Sequence, residues 1–574
     1  MRHLQALWLP GVFAIVSLLV LPAAMRLPRR VRPWVLAADL TSWIPLGLVL
    51  VHVGPSDHNV SFALAICVKT GVVLAILALA TANRLLSDRQ LGVLLAGIAL
   101  LFFLLPLPFT RLPAGLQLKG DEPHYLVATI SLLQDHDLYL ENEYTNHVYA
   151  PFYNAPLQPQ AIAARDGHIA SAHDSGLSIL ALPAYAIGGW LGVLVFLGLL
   201  GSLTVRETYL STRLLGAQPL AGLTAAGLIG FSLPFAVYAT QVYAEIAGAL
   251  VIAFAVRQML SKLARARTAP LAAGLAIATL PWLHVRFWVL ALPLLATGLM
   301  VWRQWSERLV LVATLAVSAA AYTGLNALVY GRVIVSPFLL HDTVQSRVFD
   351  LLHSTQGLMT IAVTLLRPWL DPYDGVFLLA PIYLLAVAAF PLLLRRATWV
   401  TRGIIVSIGV YAAFVGLAYL QNDAGDSPPG RFMVVVAPLL ALLLVTVYQP
   451  SLRRLTSWPS VALAAWGGLT VFLSLASPIE ASYPLAGTGG PIAMISRRLG
   501  VMLAAAVPSF THPQPDSLLK AAAWVLALAL IALLLWTRAK PPYNWRDADI
   551  PGGRDRVASP GLRGSRPDPD LAHP

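Results

Sequence analysis

Cysteine is almost absent. Cys67 is the only one in 574 residues, so no intrachain disulfide can form and no cysteine-based metal site can be built. Charge is scarce as well: Asp, Glu, Lys and Arg together make up 11% of the chain. So small a polar fraction cannot cover the surface of a water-soluble globule, and 57% hydrophobic residues with a mean hydropathy of +0.71 say the same. The apolar runs are continuous. They lack the alternation of an outer-membrane barrel strand, which excludes that class. No glycine-rich loop follows a strand pattern, so nothing points to a soluble sugar nucleotide as ligand.

What the chain does have is a series of apolar runs, each long enough to cross a bilayer as a helix. Candidate spans are roughly 5–25, 34–53, 61–82, 91–109, 177–204, 219–238, 244–260, 270–284, 287–302, 308–329, 375–394, 403–420, 432–448, 460–477 and 518–537. The pair flanking Pro281 to Arg286 is short and reads as one broken element. This predicts an all-α integral membrane protein with about 13–15 helices.

The net charge of +12 and pI of 9.9 do not point to nucleic acid. The basic residues sit in short loops between apolar runs: Arg26, Arg29, Arg30 and Arg32; Lys262, Arg265 and Arg267; Arg395, Arg396 and Arg402; Arg453 and Arg454. That is the positive-inside pattern, which fixes orientation in a membrane. It predicts an outer N-terminus and a cytoplasmic C-terminus. The apolar stretch from Leu4 to Met25, with arginines directly behind it, reads as a retained anchor rather than a cleaved signal peptide. Residues from Arg538 onward are rich in Pro, Gly, Arg and Asp, and are expected to be disordered.

Three long segments, 110–176, 330–374 and 478–517, then fall together on the outer side. The first opens with Gly120-Asp121-Glu122-Pro123-His124-Tyr125, directly behind a membrane-length run. Carboxylates beside hydrocarbon are costly and mark chemistry or an ion path. Asp121 and Glu122 are adjacent, so on a helix they point about 100° apart. One can face a reacting hydroxyl as general base while the other turns to a partner. The plainer account makes Asp121 a helix N-cap, with Pro123 in the first turn. Ser131 to Tyr139 has helical spacing suited to an amphipathic helix along the interface, and Pro151, Pro156 and Pro159 impose an extended path after it.

Other outer residues are candidates for the same pocket. His124 and His173, with the nearby acids, could bind a divalent cation such as Mg or Mn, although no tight ligand spacing is present and a polar loop histidine is the plainer account. Glu245 sits at the start of a span and could be a second acid of the site or a helix cap. His284 and Arg286 interrupt an aromatic-rich apolar run, and Arg431 opens the span that begins near 432. Arginines on the outer side run against the positive-inside trend and suit a lipid phosphate; interfacial snorkelling is the competing account. Asp423 and Asp426 lie in the outer turn ahead of Arg431, and Asp371 and Asp374 lie in a similar, weaker one whose Pro-Tyr-Asp-Gly turn chemistry alone explains.

The string Gly120-Asp121-Glu122-Pro123-His124-Tyr125-Leu126, followed by Asp135-His136-Asp137-Leu138, resembles the first outer loop of bacterial GT-C glycosyltransferases. These are the polytopic enzymes related to the protein O-mannosyltransferases and the lipid A aminoarabinose transferases. His173-Asp174-Ser175-Gly176-Leu177, Pro234 to Glu245, Pro281 to Arg286, Leu370 to Gly375 and Ser427 to Phe432 resemble further family segments in order. The likeness spans about residues 91–450. It implies a GT-C-like bundle with an outer loop carrying short amphipathic helices, extra N-terminal helices over 1–90, a C-terminal helical part over 451–537 and a tail over 538–574. It also implies a plasma-membrane enzyme in which a polyprenyl-phosphate sugar is the donor. A lipid, glycan or protein hydroxyl would attack the anomeric carbon with inversion, and Asp121 would match the family's base. The extra early spans and the lack of an obvious C-terminal acceptor domain depart from the pattern. A transporter or lipid flippase would use the same charges for gating, and a membrane acyl- or phosphotransferase is a third reading.

Overall fold

In a computed structural model, the described residues are 14, 17–18, 21, 24–29, 31–43, 58–111, 118–261, 268–341, 355–372, 374–396, 398–418, 427–482, 490–508, 510 and 515–540. One compact unit, Met1–Ala539, carries everything described below. The expectations for Arg30, for the basic loop at 262–267, for Tyr373, Asp423 and Asp426, and for the tail beyond 540 lie outside the described residues.

The fold is all-α and multi-span. Among the described residues, eight helices are long and apolar enough to cross a membrane: Val60–Ala82, Gly176–Leu214, Ala244–Ser261, Trp305–Tyr330, Trp399–Ala418, Arg431–Tyr448, Arg453–Ala476 and Asp516–Arg538. Shorter apolar helices cover Pro219–Gly230, Ala269–Leu283 and Val285–Val301. The sequence list of spans is longer in part because 5–25 and 34–53 lie largely outside the described residues, and in part because proline divides a run. The run at 375–394 becomes three pieces, Val376–Leu379, Ile382–Ala388 and Phe390–Leu394, with Pro381 and Pro391 at the breaks. Each proline lacks the N–H that would continue the ladder.

Local signals start and stop the helices that matter. Ser87 and Gln90 form a reciprocal capping box ahead of Asp88–Leu104. Gly331, left-handed at φ 68, ends Trp305–Tyr330. Gly176–Leu214 runs for 39 residues and is kinked where Gly188 and Gly189 leave helical geometry. Its first residue, Gly176, is pressed on the end of Ala269–Leu283: a Cβ there would lie 2.4 Å from the Trp282 carbonyl oxygen. Only glycine permits that approach, and it brings Asp174 beside Val285. The central segment Arg431–Tyr448 is buried nearly throughout and packs on Ala244–Ser261, Gly176–Leu214 and Pro219–Gly230.

The 110–176 segment corrects two expectations. Its helix is Glu122–Gln134, not 131–139, and residues 122–131 are all buried, so it is wedged into the bundle instead of lying along the interface. Thr129 and Ser178 hydroxyls both donate to the Tyr125 carbonyl, which fixes this helix to Gly176–Leu214. Beyond the short Glu141–Thr145 helix comes a two-stranded antiparallel hairpin, Ala161–Ala163 with Ile169–Ser171, in register Ile162 to Ala170. Its turn uses Asp166 and Gly167 at positive φ.

Candidate active site

The Glu122–Gln134 helix begins at Asp121, which stands at the N-cap position with Pro123 behind it. The Asp121 carboxylate does not cap the helix. It reaches across to Arg431, whose Nη1 donates to Oδ2 at 2.7 Å. The Asp121 side chain is 26% exposed, while that of Arg431 is 7% exposed. Gly430, left-handed at φ 84 and packed so closely on Pro234 that a Cβ would lie 2.8 Å from it, sets the turn that aims Arg431.

From Arg431 a string of ion pairs continues inward. Its Nε donates to Glu245 Oε1 at 2.8 Å, and Arg286 Nη2 donates to the same oxygen at 2.7 Å. Glu245 is fully buried, and its Oε2 has no hydrogen-bond partner among the described residues. Arg431 also stacks 3.9 Å from the Tyr243 ring, and Arg286 lies 4.5 Å from the Phe432 ring. Arg286 N–H donates to His284 Nδ1 at 3.2 Å, and the neighbouring Val285 N–H donates to Asp174 Oδ2 at 2.7 Å. Asp174 Oδ1 accepts from Ser336 at 2.7 Å and from the Tyr322 hydroxyl.

Glu122 points the other way. Arg111 grips both its oxygens, at 2.5 and 3.1 Å. The backbone N–H groups of Val242 and Lys119 donate to it at 2.8 and 3.1 Å. Arg111 also donates to Gln241 Oε1 at 2.5 Å. Two oxygens with four donors leave this carboxylate little capacity to accept a proton from a substrate. The adjacent acids therefore have different environments, one partly open on a single arginine and one sealed.

His124 shares a hydrogen bond with the Tyr144 hydroxyl at 2.8 Å, and His173 Nε2 lies 2.6 Å from Gln160 Oε1. Their rings are 6.1 Å apart, and the Tyr125 ring is 4.8 Å from His173. The Tyr125 hydroxyl is buried without a hydrogen-bond partner among the described residues. Burial, then the charge of His173, pushes His124 down to about 3 against the pull of Asp121, so it is neutral at ordinary pH. Burial alone would push Asp121 up; the Arg431 guanidinium, helped by His173, overrides it and holds the carboxyl well below the usual carboxylate range. Burial pushes Asp174 up to about 6 despite its three donors.

Six of the eight sequence-selected residues thus come together directly: Asp121, Arg431, Glu245, Arg286 and His284 along one hydrogen-bonded string, with Glu122 next to its end. His124 and His173 flank it. Among the described residues no group of three or more His, Cys, Asp or Glu could hold a metal ion. The residues beside Asp121 do not fit a Mg or Mn site: its carboxylate is on Arg431, and the two histidines are turned to Tyr144 and Gln160. Sequence reasoning missed Arg111, Lys119, Tyr125 and Tyr243. Arg111 carried a usable signal, since the topology expected from the basic loops puts it on the outer side against the positive-inside trend, as it does Arg286.

A groove opens beside the sealed acid. Arg111, Lys119, Glu122 and Gln241 line one part of it, and Phe102, Phe103, Pro106, Val471 and Leu475 the rest. Counted together, Arg111, Lys119, Arg286 and Arg431 stand with Asp121, Glu122, Asp174 and Glu245, four basic side chains against four carboxyl groups.

No protein-family model matches the chain, and no curated protein does. Among solved structures it is similar to the Archaeoglobus fulgidus oligosaccharyltransferase, crystallised with Zn and sulfate, at 13% identity and a TM-score of 0.36. The match covers 68% of this chain and 52% of that one, so the chain spans about half the length of that enzyme.

Proposed function

We propose that this protein is a plasma-membrane glycosyltransferase that moves a sugar from a polyprenyl-phosphate donor to an acceptor hydroxyl, with inversion at the anomeric carbon. The observation that carries the reading is the Asp121 carboxylate: it sits at a helix start yet caps nothing, stays partly exposed, and is aimed by a buried arginine. The resemblance of the Gly120–Leu126 string to the first outer loop of GT-C enzymes supports the same role.

In the reaction the acceptor oxygen bonds to the anomeric carbon as the bond from that carbon to the phosphate oxygen breaks. The electron pair leaves with the polyprenyl phosphate. The acceptor proton passes to Asp121, which is ionised throughout the working pH range. While Arg431 holds it, Asp121 is a weak base. A donor phosphate that draws Arg431 toward itself would loosen the pair and let the carboxyl's proton affinity rise. Base strength would then appear only with donor bound. Arg286 and Glu245 hold Arg431 in line, and Arg111 with Lys119 supplies the remaining positive field for the leaving phosphate. His124 and His173 contact the sugar from the flanks. Glu122 serves as the buried anchor of Arg111 rather than as a second base.

The reading is tested by Asp121→Asn with a panel of radiolabelled polyprenyl-phosphate sugars. Transfer is lost while the protein still folds. Undiminished transfer at normal yield overturns the assignment. A transporter or flippase would instead move labelled lipid across vesicles without cleaving it.

A further inference from the structure

A buried polar side chain without a partner costs stability, and folded proteins keep few of them. One stands beside the base. Tyr125 is 1% exposed, and its hydroxyl has no hydrogen-bond partner among the described residues. The rest of the residue is well held. Its N–H donates to the Asp121 carbonyl at 3.3 Å, and its own carbonyl accepts from the Thr129 and Ser178 hydroxyls at 2.8 and 2.9 Å. Its ring lies 4.8 Å from that of His173. Backbone and ring are fixed, so the hydroxyl stands where the packing puts it.

Its surroundings are the ionic string. The charges that act on it are those of Arg431, Asp121, Glu245 and Asp174, in falling order. Burial pushes the hydroxyl above the usual tyrosine range against the pull of Arg431, so it keeps its proton and can donate. Tyr125 follows Asp121 by four positions, one helical turn, which puts the two side chains on one face. Among the described residues, Arg431 is the one hydrogen-bond partner of the Asp121 carboxylate, and it takes Oδ2. A donor without an acceptor therefore stands in the field of a carboxylate with an oxygen to spare. From this geometry we infer that Tyr125 is a positioning residue: when the donor phosphate draws Arg431 off Asp121, the Tyr125 hydroxyl takes its place on that carboxylate. The inference rests on the glycosyltransferase reading and deepens it. A phenol carries no charge, so the exchange keeps Asp121 aimed while removing the guanidinium that holds its proton affinity down. The hydroxyl that is unpaired in the resting protein is paired when the base has to act.

The test compares Tyr125→Phe with the wild type as full-length protein in nanodiscs, with radiolabelled polyprenyl-phosphate sugars as donors and membranes of the producing cells as acceptor. The substitution removes one oxygen and keeps the ring against His173. That oxygen has no partner to lose, so the melting temperature should hold or rise. The kcat should fall ~10- to 100-fold, the worth of one hydrogen bond to a charged group, while donor KM holds. The acid limb of kcat reports the base in the bound complex. It should move to higher pH, because losing a donor raises the proton affinity of Asp121. In an Asp121→Asn background the same change should cost far less, since no base is left to aim. Wild-type kcat and an unmoved acid limb in Tyr125→Phe overturn the inference. So does a lower melting temperature with unchanged kcat, which makes the hydroxyl a structural contact, and so does an equal loss of rate in both backgrounds. Each of these leaves the enzyme reading standing. A wild-type protein that cleaves none of the donors sinks that reading, and the inference with it.

Discussion

Replacing Asp121 by Asn keeps shape and removes the basic carboxylate. A positioned general base is worth ~100- to 10,000-fold, about 2.7–5.4 kcal/mol of barrier. The folding cost should be much smaller. Asp121 makes no side-chain cap, so no cap is lost. What goes is one charge-assisted hydrogen bond to Arg431, from a carboxylate that is 26% exposed, and Arg431 keeps Glu245. That is about 1–2 kcal/mol. Transfer per folded molecule should therefore collapse while yield and monodispersity hold. The pH dependence supplies an independent check. The Asp121 carboxyl is held below the usual range, so the stability it contributes is present above its unfolded pKa of about 3.9 and lost only as pH falls through the lower folded value. The gap in melting temperature between wild type and variant should be the same at pH 8 and pH 6, and shrink only below about pH 4. Labelled-donor turnover and thermal melts measure the two quantities. A variant that transfers at wild-type rate refutes the base. One that keeps specific activity but fails to fold shows that the Arg431 contact is structural only.

The neighbouring acid should behave in the opposite way. Glu122→Gln strips a buried anchor from Arg111 and leaves that guanidinium uncompensated, at about 3–5 kcal/mol, so yield falls while whatever folds retains activity; normal yield with lost turnover would reverse the two roles. Arg431→Lys places a point charge where Nη1 and Nε now serve Asp121 and Glu245 separately, and kcat should drop ~10- to 100-fold, the worth of one charged hydrogen bond; unaltered kinetics would exclude the fork geometry. Glu143 is pushed up to about 7 by burial and by Asp135 beside it, so the stability tied to its protonation is full below its unfolded pKa and lost as pH rises through 7. Glu143→Gln, which cannot ionise, should raise the melting temperature at pH 8 and change it little at pH 5; a larger gain at pH 5 would contradict the shift. Compartment-sensitive reporters fused after Asp166 and after Arg538 should give opposite signals, outer and inner, and equal signals would defeat the topology read from the basic loops.

Membrane character was legible because length and apolarity of a run decide whether it can cross a bilayer, and Val60–Ala82, Trp305–Tyr330 and Trp399–Ala418 follow their runs closely. Where the runs break and bend was less so. Hydropathy does not register the prolines that divide 375–394, nor the glycine pair that bends Gly176–Leu214. In the 110–176 segment, helical periodicity at 131–139 was a poor guide, since Glu122–Gln134 is buried on every side for its first ten residues. Candidate residues such as Arg286, Glu245 and Arg431 stood out because charge at the edge of an apolar run is rare. Their partners did not, because a contact between Asp121 and Arg431 spans 310 positions and exists only once the bundle closes. The same limit hid the split between Asp121 and Glu122. Two adjacent carboxylates look alike in sequence, and only the folded surroundings seal one and leave the other open.

That split explains why so many charges can sit together at one end of an apolar bundle. A buried arginine or carboxylate without a partner would cost several kcal/mol, more than a marginally stable fold can carry at several positions. Here every carboxylate in the string has a guanidinium, and Glu245 serves two. With Asp174 counted, basic and acidic side chains in the cluster are equal in number, and Arg111 and Lys119 lie along one groove. On the proposed reading, a phosphate entering that groove would favour rearrangement, because each negative charge it adds competes for guanidinium groups now held by Asp121 and Glu245. Glu245 keeps one buried oxygen unpartnered, so it can take up an arginine contact that shifts as Asp121 lets go. Under the proposed function, a site built in this way is paired when empty and would rearrange when a lipid phosphate enters. A set of unpaired arginines would bind phosphate more strongly, but it would be costly to fold and would leave Asp121 no partner to exchange.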